Sequence, residues 1–173
     1  MRARDYWKAV TVDRSDFLDN FLGLLRESGA NYCLVGGQAV NAYVDPVVSL
    51  DLDLVVALAD RERLVRALSP RFRVEEFPHS LNLSAAGSDL RVQIQTDPRY
   101  ESFIERASAR EVLGVTLPVA AVEDVLQGKI WAASDESRRG SKRQKDLADI
   151  ARLIEAYPAL TSQVPATIQR RLV

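Results

Sequence analysis

The chain has 173 residues, of which 47% are hydrophobic and 27% charged, and its formal net charge is −1 at pH 7. This length suits one domain with an ordinary core, and the composition, which includes no apolar run long enough to span a membrane, indicates a soluble protein that we expect in the cytoplasm. The low net charge excludes a global attraction for nucleic acid or membrane, and the single cysteine, Cys33, excludes an intramolecular disulfide and a thiol-cluster metal site.

The first part of the chain alternates helical and strand-like patterns. Asp13 or Ser15 can cap a helix that runs to about Ser28, and Gly29 marks its end. The pattern then predicts a strand at 32–35, a short helix at 38–43, a strand at 50–57 and a helix at 60–68.

The remaining elements complete a mixed α/β pattern. Strand character occurs at 72–77, 81–84 and 90–95, a helical pattern at 100–109, a strand pair or extended link at 111–119, and helices at 122–133 and 145–157. Together the elements predict an α/β (α+β) fold with a small mixed sheet and flanking helices. We expect a core domain at 1–121, with a C-terminal helical segment at 122–173 packed on it.

Two carboxylates lie near the start of the predicted strand at 50–57. Because side chains alternate along a strand, Asp51 and Asp53 point to one face, while Leu52 and Leu54 enter the core. Two such charges repel by roughly 4 kcal/mol at 4 Å and an effective dielectric constant of about 20. Mg²⁺ offsets this cost, since it prefers oxygen ligands and completes its shell with water and substrate phosphates.

A diglycine precedes these carboxylates in the chain. Gly36 and Gly37 end the strand at 32–35 and lead into the predicted short helix. Without Cβ atoms the chain can turn tightly there and leave amide N–H groups open to an anion. A diglycine alone is more simply a turn, and an Asp-Leu-Asp segment alone is more simply a solvated strand edge. When the diglycine precedes the two aspartates in this way, the combination indicates a phosphate-binding site next to a metal site.

This combination resembles the signature of the nucleotidyltransferase superfamily related to DNA polymerase β. The matching residues are Val35, Gly36, Gly37, Ser49, Asp51, Leu52, Asp53 and Leu54. The resemblance implies that Asp51 and Asp53 hold Mg²⁺ and are catalytic, and that Gly36, Gly37 and Ser49 bind the triphosphate of an NTP such as ATP.

Members of this superfamily usually supply a third carboxylate from a later strand. Gln93 occupies that position here, in the alternating strand at 90–95. A carboxamide is a neutral ligand and a poor base, so a second metal would be held less well. Asp89 and Asp97 are possible substitutes, although each is more simply a turn residue.

The C-terminal helices resemble the corresponding motif of AbiEii-type nucleotidyltransferases, toxins of abortive-infection systems and their relatives. By that resemblance Lys129 is catalytic, and Lys145, Asp146 and Asp149 line the nucleotide cleft. The alternative is an ordinary surface ion pair between Lys145 and Asp149 at i, i+4. Five basic residues form a cluster that comprises Arg138, Arg139, Lys142, Arg143 and Lys145. This cluster is either a solvated loop or a surface that attracts a phosphate-rich acceptor.

These patterns lead to three functional hypotheses, of which the last is a purely structural α/β interaction domain whose aspartates are solvated. The first is a Mg²⁺-dependent nucleotidyltransferase that moves an NMP from an NTP to an acceptor, which can be tRNA, a protein or a small molecule. The second is a catalytically impaired nucleotide-binding module that acts as a sensor or as a toxin–antitoxin component, and Gln93 is the residue that favours it.

Overall fold

One mixed sheet organises the molecule, whose computed structural model describes Asp5 and residues 16–172. The sheet has the strand order β3-β4-β5-β2-β1-β7-β6. The strands are β1 (Tyr32–Val35), β2 (Asp51–Val56), β3 (Arg73–Phe77), β4 (Ser80–Ser84), β5 (Arg91–Gln95), β6 (Ser108–Val112) and β7 (Val115–Val119). β2 is parallel to β5 and β1 to β7, and the other neighbouring pairs are antiparallel.

Helices flank this sheet. They are α1 (Phe17–Ser28), α2 (Gly36–Asn41), α3 (Arg61–Leu68), α4 (Ser102–Glu105), α5 (Val122–Ser134), α6 (Gly140–Ala156) and α7 (Ala166–Gln169). Short 3₁₀ turns lie at Leu58–Asp60, Pro98–Tyr100 and Pro158–Gln163. The predicted α/β fold with a mixed sheet is therefore confirmed. None of the described helices is long and apolar enough to cross a membrane.

Helix α1 shows how the sequence pattern produces the core. Its buried positions recur at helical spacing and are Phe17, Leu18, Phe21, Leu22 and Leu25. The helix ends where Gly29 adopts a φ of 63°, and the Gly29 N–H donates to the carbonyl of Arg26. This end was predicted, whereas the candidate caps Asp13 and Ser15 lie outside the described residues.

The central strands separate an apolar face from a polar face. In β2 the side chains of Leu52 and Leu54 are fully buried, while Asp51 and Asp53 are only partly buried. In β5 the buried residues are Val92 and Ile94, and Gln93 and Gln95 lie on the polar face. The predicted alternation is confirmed in both strands, and it places the carboxylates on the polar face.

Three predicted boundaries were wrong. The helix predicted at 100–109 is short, because β6 begins at Ser108 and pairs with β7 across a turn in which Leu113 and Gly114 have positive φ. This hairpin pairing outweighs the local helical pattern. Helix α2 begins at Gly36 rather than at residue 38, and α6 begins at Gly140 rather than at residue 145.

Candidate active site

Asp53 meets the diglycine at the end of β1. The antiparallel register pairs Asp53 with Val35, the residue before Gly36. Gly36 has a φ of 68°, and a Cβ built on it would lie 2.1 Å from Oδ2 of Asp53. The absence of a side chain at Gly36 is therefore what makes room for the Asp53 carboxylate. The structure thus brings these two predicted site residues into contact.

Asp51 is held by two basic side chains. Its Oδ1 lies 3.0 Å from Nε of Arg91, which is its register partner on β5. Its Oδ2 lies 3.2 Å from Nζ of Lys142, which reaches across from α6. Both cations were missed as site residues by the sequence analysis, although Arg91 could have been found because it precedes Gln93 by two positions and so shares its face.

The Asp53 carboxylate has a different environment. Burial raises its pKa above the ordinary value, the charge of Lys129 lowers it, and the neighbouring Asp51 raises it further. Within residues 16–172, no side chain forms an ion pair or hydrogen bond with this carboxylate. A partly desolvated carboxylate without a described partner is a position where an added cation is favourable.

The two carboxylates border adjacent cavities rather than a single cleft. Asp53 lines one together with Gly36, Tyr100 and Lys129. Asp51 lines the other, of about 290 Å³, together with Lys142. The side chain of Gln93 borders both cavities, so it stands at the boundary between them.

Gln93 occupies the position predicted for a third carboxylate. The parallel register places it directly beside Asp53, with Asn82 on its other side. Neither proposed substitute joins this row, because Asp89 is exposed and Asp97 caps a turn and pairs with Arg99 at 2.9 Å. No group of three or more potential metal-binding His, Cys, Asp or Glu side chains occurs in the described part of the chain.

Lys129 lies in a buried ion-pair network that joins α5 to α6. Its Nζ lies 2.9 Å from Asp146 and 2.8 Å from Asp149, and its side chain is only 9% exposed. Burial disfavours its charge, but the two carboxylates outweigh burial and raise the pKa of Lys129. Arg138 pairs with Asp146 and Arg152 with Asp149, and neither contact was predicted from sequence.

The alternative of a surface ion pair between Lys145 and Asp149 is absent from the described ion pairs, because Asp149 pairs with Lys129 and Arg152 instead. The basic cluster is a solvated loop only in part, since the exposed Arg139 lies before the helix. Arg138 and Lys142 bind Asp146 and Asp51, and the segment from Gly140 onward is helical.

A second group of predicted site residues lies beside the diglycine and consists of Gly37, Ser49 and Lys145. Ser49 is buried, and Nζ of Lys145 donates a hydrogen bond of 3.4 Å to its Oγ. A Cβ on Gly37 would lie 3.5 Å from the same oxygen, which is an ordinary contact. The predicted nucleotide-binding residues are thus neighbours in space, and their roles remain predictions.

The donor atoms at this site suit a hard divalent cation. Two carboxylates and the Gln93 carboxamide supply only oxygen ligands, which Mg²⁺ prefers over nitrogen or sulfur. The Asp53 carboxylate fits such an ion best, because it is partly buried, has no described pairing partner and occupies space that a side chain on residue 36 would fill.

Comparison with known proteins gives a family match and similar folds. The family model "Nucleotidyl transferase AbiEii toxin, Type IV TA system" matches residues 24–172. No curated protein sequence matches the chain. The antibiotic-resistance factor ANT(2'')-Ia has a similar fold, with a TM-score of 0.55, 16% identity, and coverage of 90% of this chain and 86% of that one.

A second solved structure shares the fold. The lincosamide antibiotic adenylyltransferase LnuA, bound to lincomycin, superposes with a TM-score of 0.56 at 13% identity, over 83% of this chain and 99% of that one. At these identities the likeness establishes the fold alone. The family match spans most of the chain, however, and the chain therefore belongs to the AbiEii nucleotidyltransferase family.

Proposed function

We propose that this protein is a Mg²⁺-dependent nucleotidyltransferase that transfers an NMP from an NTP to the hydroxyl of an acceptor. The observation that carries the proposal is the contact between Asp53 and Gly36. It joins a carboxylate that lacks a described partner to a backbone segment without Cβ atoms, where a phosphate can approach closely.

Asp51 and Asp53 would hold the metal, with the carboxamide oxygen of Gln93 beside them. Bound Mg²⁺ supplies a positive charge that polarises the phosphoryl oxygens and orients the polyphosphate. Residues of the chain itself would position the rest of the nucleotide, and their contacts within the site indicate a different role for each.

The diglycine side of the site would bind the polyphosphate. Gly36 and Gly37 allow close approach of the backbone, and Lys145, held beside Ser49, provides a cation for phosphate oxygens. Lys129 acts differently, since both carboxylates of its network already hold its ammonium group. We assign to it the rigid coupling of α5 to α6 and an electrostatic stabilisation of ionised Asp53.

In the transfer step the acceptor oxygen forms a bond to the α-phosphorus. The bond from that phosphorus to the oxygen bridging to the β-phosphate breaks, and pyrophosphate leaves. Gln93 cannot take the hydroxyl proton, because a carboxamide is not a base at neutral pH. With no base at position 93 and with Asp51 and Asp53 assigned to the metal, we assign the proton to solvent water, and the reaction would depend on positioning more than on general-base catalysis.

The candidate acceptors of the NMP are tRNA, a protein side chain and a small molecule. The family description names a toxin of a type IV toxin–antitoxin system, so we propose that setting for this protein. The test is to incubate the protein with Mg²⁺ and each α-labelled NTP, alone and with total tRNA. Pyrophosphate release with label transfer supports the proposal, and the Asp51→Asn/Asp53→Asn variant must abolish both.

The placement of Gln93 favours one other candidate function. With a carboxamide beside Asp53, the protein could bind a nucleotide without turning it over and act as a sensor or as a toxin–antitoxin component. Saturable NTP binding without pyrophosphate release from any NTP, in the presence of tRNA and of protein acceptors, would favour this candidate. An absence of both binding and turnover would remove both.

A further inference from the structure

Lys142 has a position that the proposed transfer does not use. It projects from the first turn of α6 to Oδ2 of Asp51, at 3.2 Å, although the two residues are 91 positions apart in the chain. Its side chain is 40% exposed. A cation therefore already neutralises one of the two carboxylates that would hold the metal.

The two lysines near the carboxylates differ in how they are held. Lys129 is clamped by two carboxylates at 2.9 Å and 2.8 Å and is 9% exposed, so its charge is fixed in place. Lys142 has a single, longer ion pair and borders the cavity of about 290 Å³ beside Asp51. Its flexible four-carbon stem can therefore swing the ammonium group within that cavity.

A metal ion that binds Asp51 competes with both of its partners. Arg91 and Lys142 each contact one carboxylate oxygen, and a divalent cation at Asp51 repels both positive charges and weakens at least one of these ion pairs. Arg91 is the neighbouring residue in the sheet register, which keeps its side chain close. Lys142 lies on α6, outside the sheet, and borders the cavity beside Asp51, so it is the partner that we expect to leave.

We propose that Lys142 is an exchangeable counter-ion: it neutralises Asp51 in the nucleotide-free protein and transfers to the polyphosphate when metal and nucleotide bind. This rests on the proposed function, because it requires a metal at Asp51. Free metal competes with Lys142 for Asp51, whereas polyphosphate draws Lys142 away and opens that ligand. Metal and nucleotide consequently favour each other's binding, and the coupling is reciprocal.

The test uses Lys142→Met, which keeps the length of the side chain and removes its charge. Mn²⁺ binding to the nucleotide-free protein is measured by the loss of the free-ion EPR signal. Binding of inorganic tripolyphosphate, which avoids any base preference, is measured by calorimetry in EDTA. We expect Mn²⁺ to bind about threefold more tightly and tripolyphosphate about threefold more weakly, as for the loss of one partly exposed ion pair.

The opposite signs distinguish this exchange from a structural role, because a damaged fold would weaken both ligands. Arg139→Met is the matched control, since it removes a positive charge beside α6 from an exposed residue that has no described contact with Asp51. We expect it to produce less than half of either effect. Lys142→Arg should keep both affinities close to those of the unchanged protein.

Mn²⁺ binding that is unchanged or weaker in Lys142→Met, while the unchanged protein binds Mn²⁺, overturns the counter-ion proposal and leaves the proposed function intact. Equal changes in Mn²⁺ and tripolyphosphate affinity in Lys142→Met and Arg139→Met also overturn it, because the loss of any nearby positive charge would then explain both changes. Mn²⁺ binding that is undetectable, or insensitive to Asp51→Asn, overturns the metal site itself and the counter-ion proposal with it.

Discussion

Asp53 occupies the space that a side chain on Gly36 would need, since a Cβ there would lie 2.1 Å from its Oδ2. Gly36 also has a φ of 68°, which L side chains rarely adopt. The carboxylate strand and the bend that precedes it are therefore fitted to each other, and a side chain at residue 36 would disturb both.

The first prediction concerns Gly36→Ala. The left-handed backbone costs an alanine roughly 1–2 kcal/mol, so we expect at least that loss in the free energy of unfolding, measured with urea. The Cβ must also push the Asp53 carboxylate aside. Because a misplacement of about 1 Å can cost on the order of 100-fold in rate, we expect a loss of that size in pyrophosphate release.

Gly37→Ala is the control for this prediction. Its Cβ would make an ordinary contact, 3.5 Å from Oγ of Ser49, and Gly37 has no positive φ. We expect it to fold with unchanged or slightly greater stability, since alanine favours helical backbone by roughly 0.5–1 kcal/mol over glycine. Equal losses of stability in the two variants would show that the contact with Asp53 is not the cause.

The second prediction concerns Lys129→Met. Removing the ammonium leaves two carboxylates buried with only Arg138 and Arg152 to neutralise them. Breaking a buried ion pair from one side costs about 3–5 kcal/mol, and the remaining arginines place our expectation at about 3 kcal/mol. Lys145→Met is the comparison, because Lys145 is exposed and should change stability by less than about 0.5 kcal/mol. Similar urea midpoints for both variants would contradict the buried network.

Local sequence patterns predicted those features of the fold that depend on residues close together in the chain. The Asp-Leu alternation of β2 and the end of α1 at Gly29 follow from side-chain spacing and glycine backbone freedom, so the sequence alone suffices. The resemblance to known nucleotidyltransferases also predicted particular glycines, carboxylates and lysines as site residues, and the structure brings Asp53 into contact with Gly36.

Contacts between distant elements could not be predicted in this way. The pair between Lys142 and Asp51 depends on how α6 lies against β2, which no local period encodes. Local spacing also allowed a Lys145–Asp149 ion pair as an alternative, which does not form because Lys129 on α5 provides a buried partner for Asp149. The β6–β7 hairpin likewise overrides a helical pattern through pairing that forms only in the folded sheet.

The third prediction uses Cys33 as a probe of ligand binding. Burial raises its pKa to about 12, and the charge of Asp124 adds to the effect. The thiol is therefore protonated as well as enclosed, and we expect no reaction with a disulfide reagent at pH 8 until the protein opens. Reaction in urea should be complete, because the unfolded thiol has an ordinary pKa.

Ligands that bind the native state should slow this labelling. At 100 times their dissociation constant, Mg²⁺ and an NTP would stabilise the native state by about 2.7 kcal/mol, which corresponds to a labelling rate on the order of 100-fold lower when global opening is required. EDTA should reverse the metal's share of this protection. Equal protection of the Asp51→Asn/Asp53→Asn variant would place the ligand elsewhere on the molecule.

The fourth prediction concerns Gln93→Asp, which puts a third carboxylate beside Asp53. Without metal, the like charges on neighbouring strands should destabilise the protein by about 0.2–1 kcal/mol. With Mg²⁺ the same carboxylate becomes a ligand, so the melting temperature should recover and pyrophosphate release should rise. The measurement is thermal melting in EDTA and in Mg²⁺, together with turnover.

Gln95→Asp separates this effect from a general change of charge. Gln95 lies on the same face of β5, two positions further on, but its register partner is Val55 rather than a carboxylate. Its variant should gain little from Mg²⁺ and should not accelerate transfer, because its carboxylate is displaced from the Asp53 row by about two strand residues, roughly 6–7 Å. A Mg²⁺ response of the same size in both variants would mean that metal does not bind at Asp53, and the assignment of this carboxylate as a ligand would then be wrong.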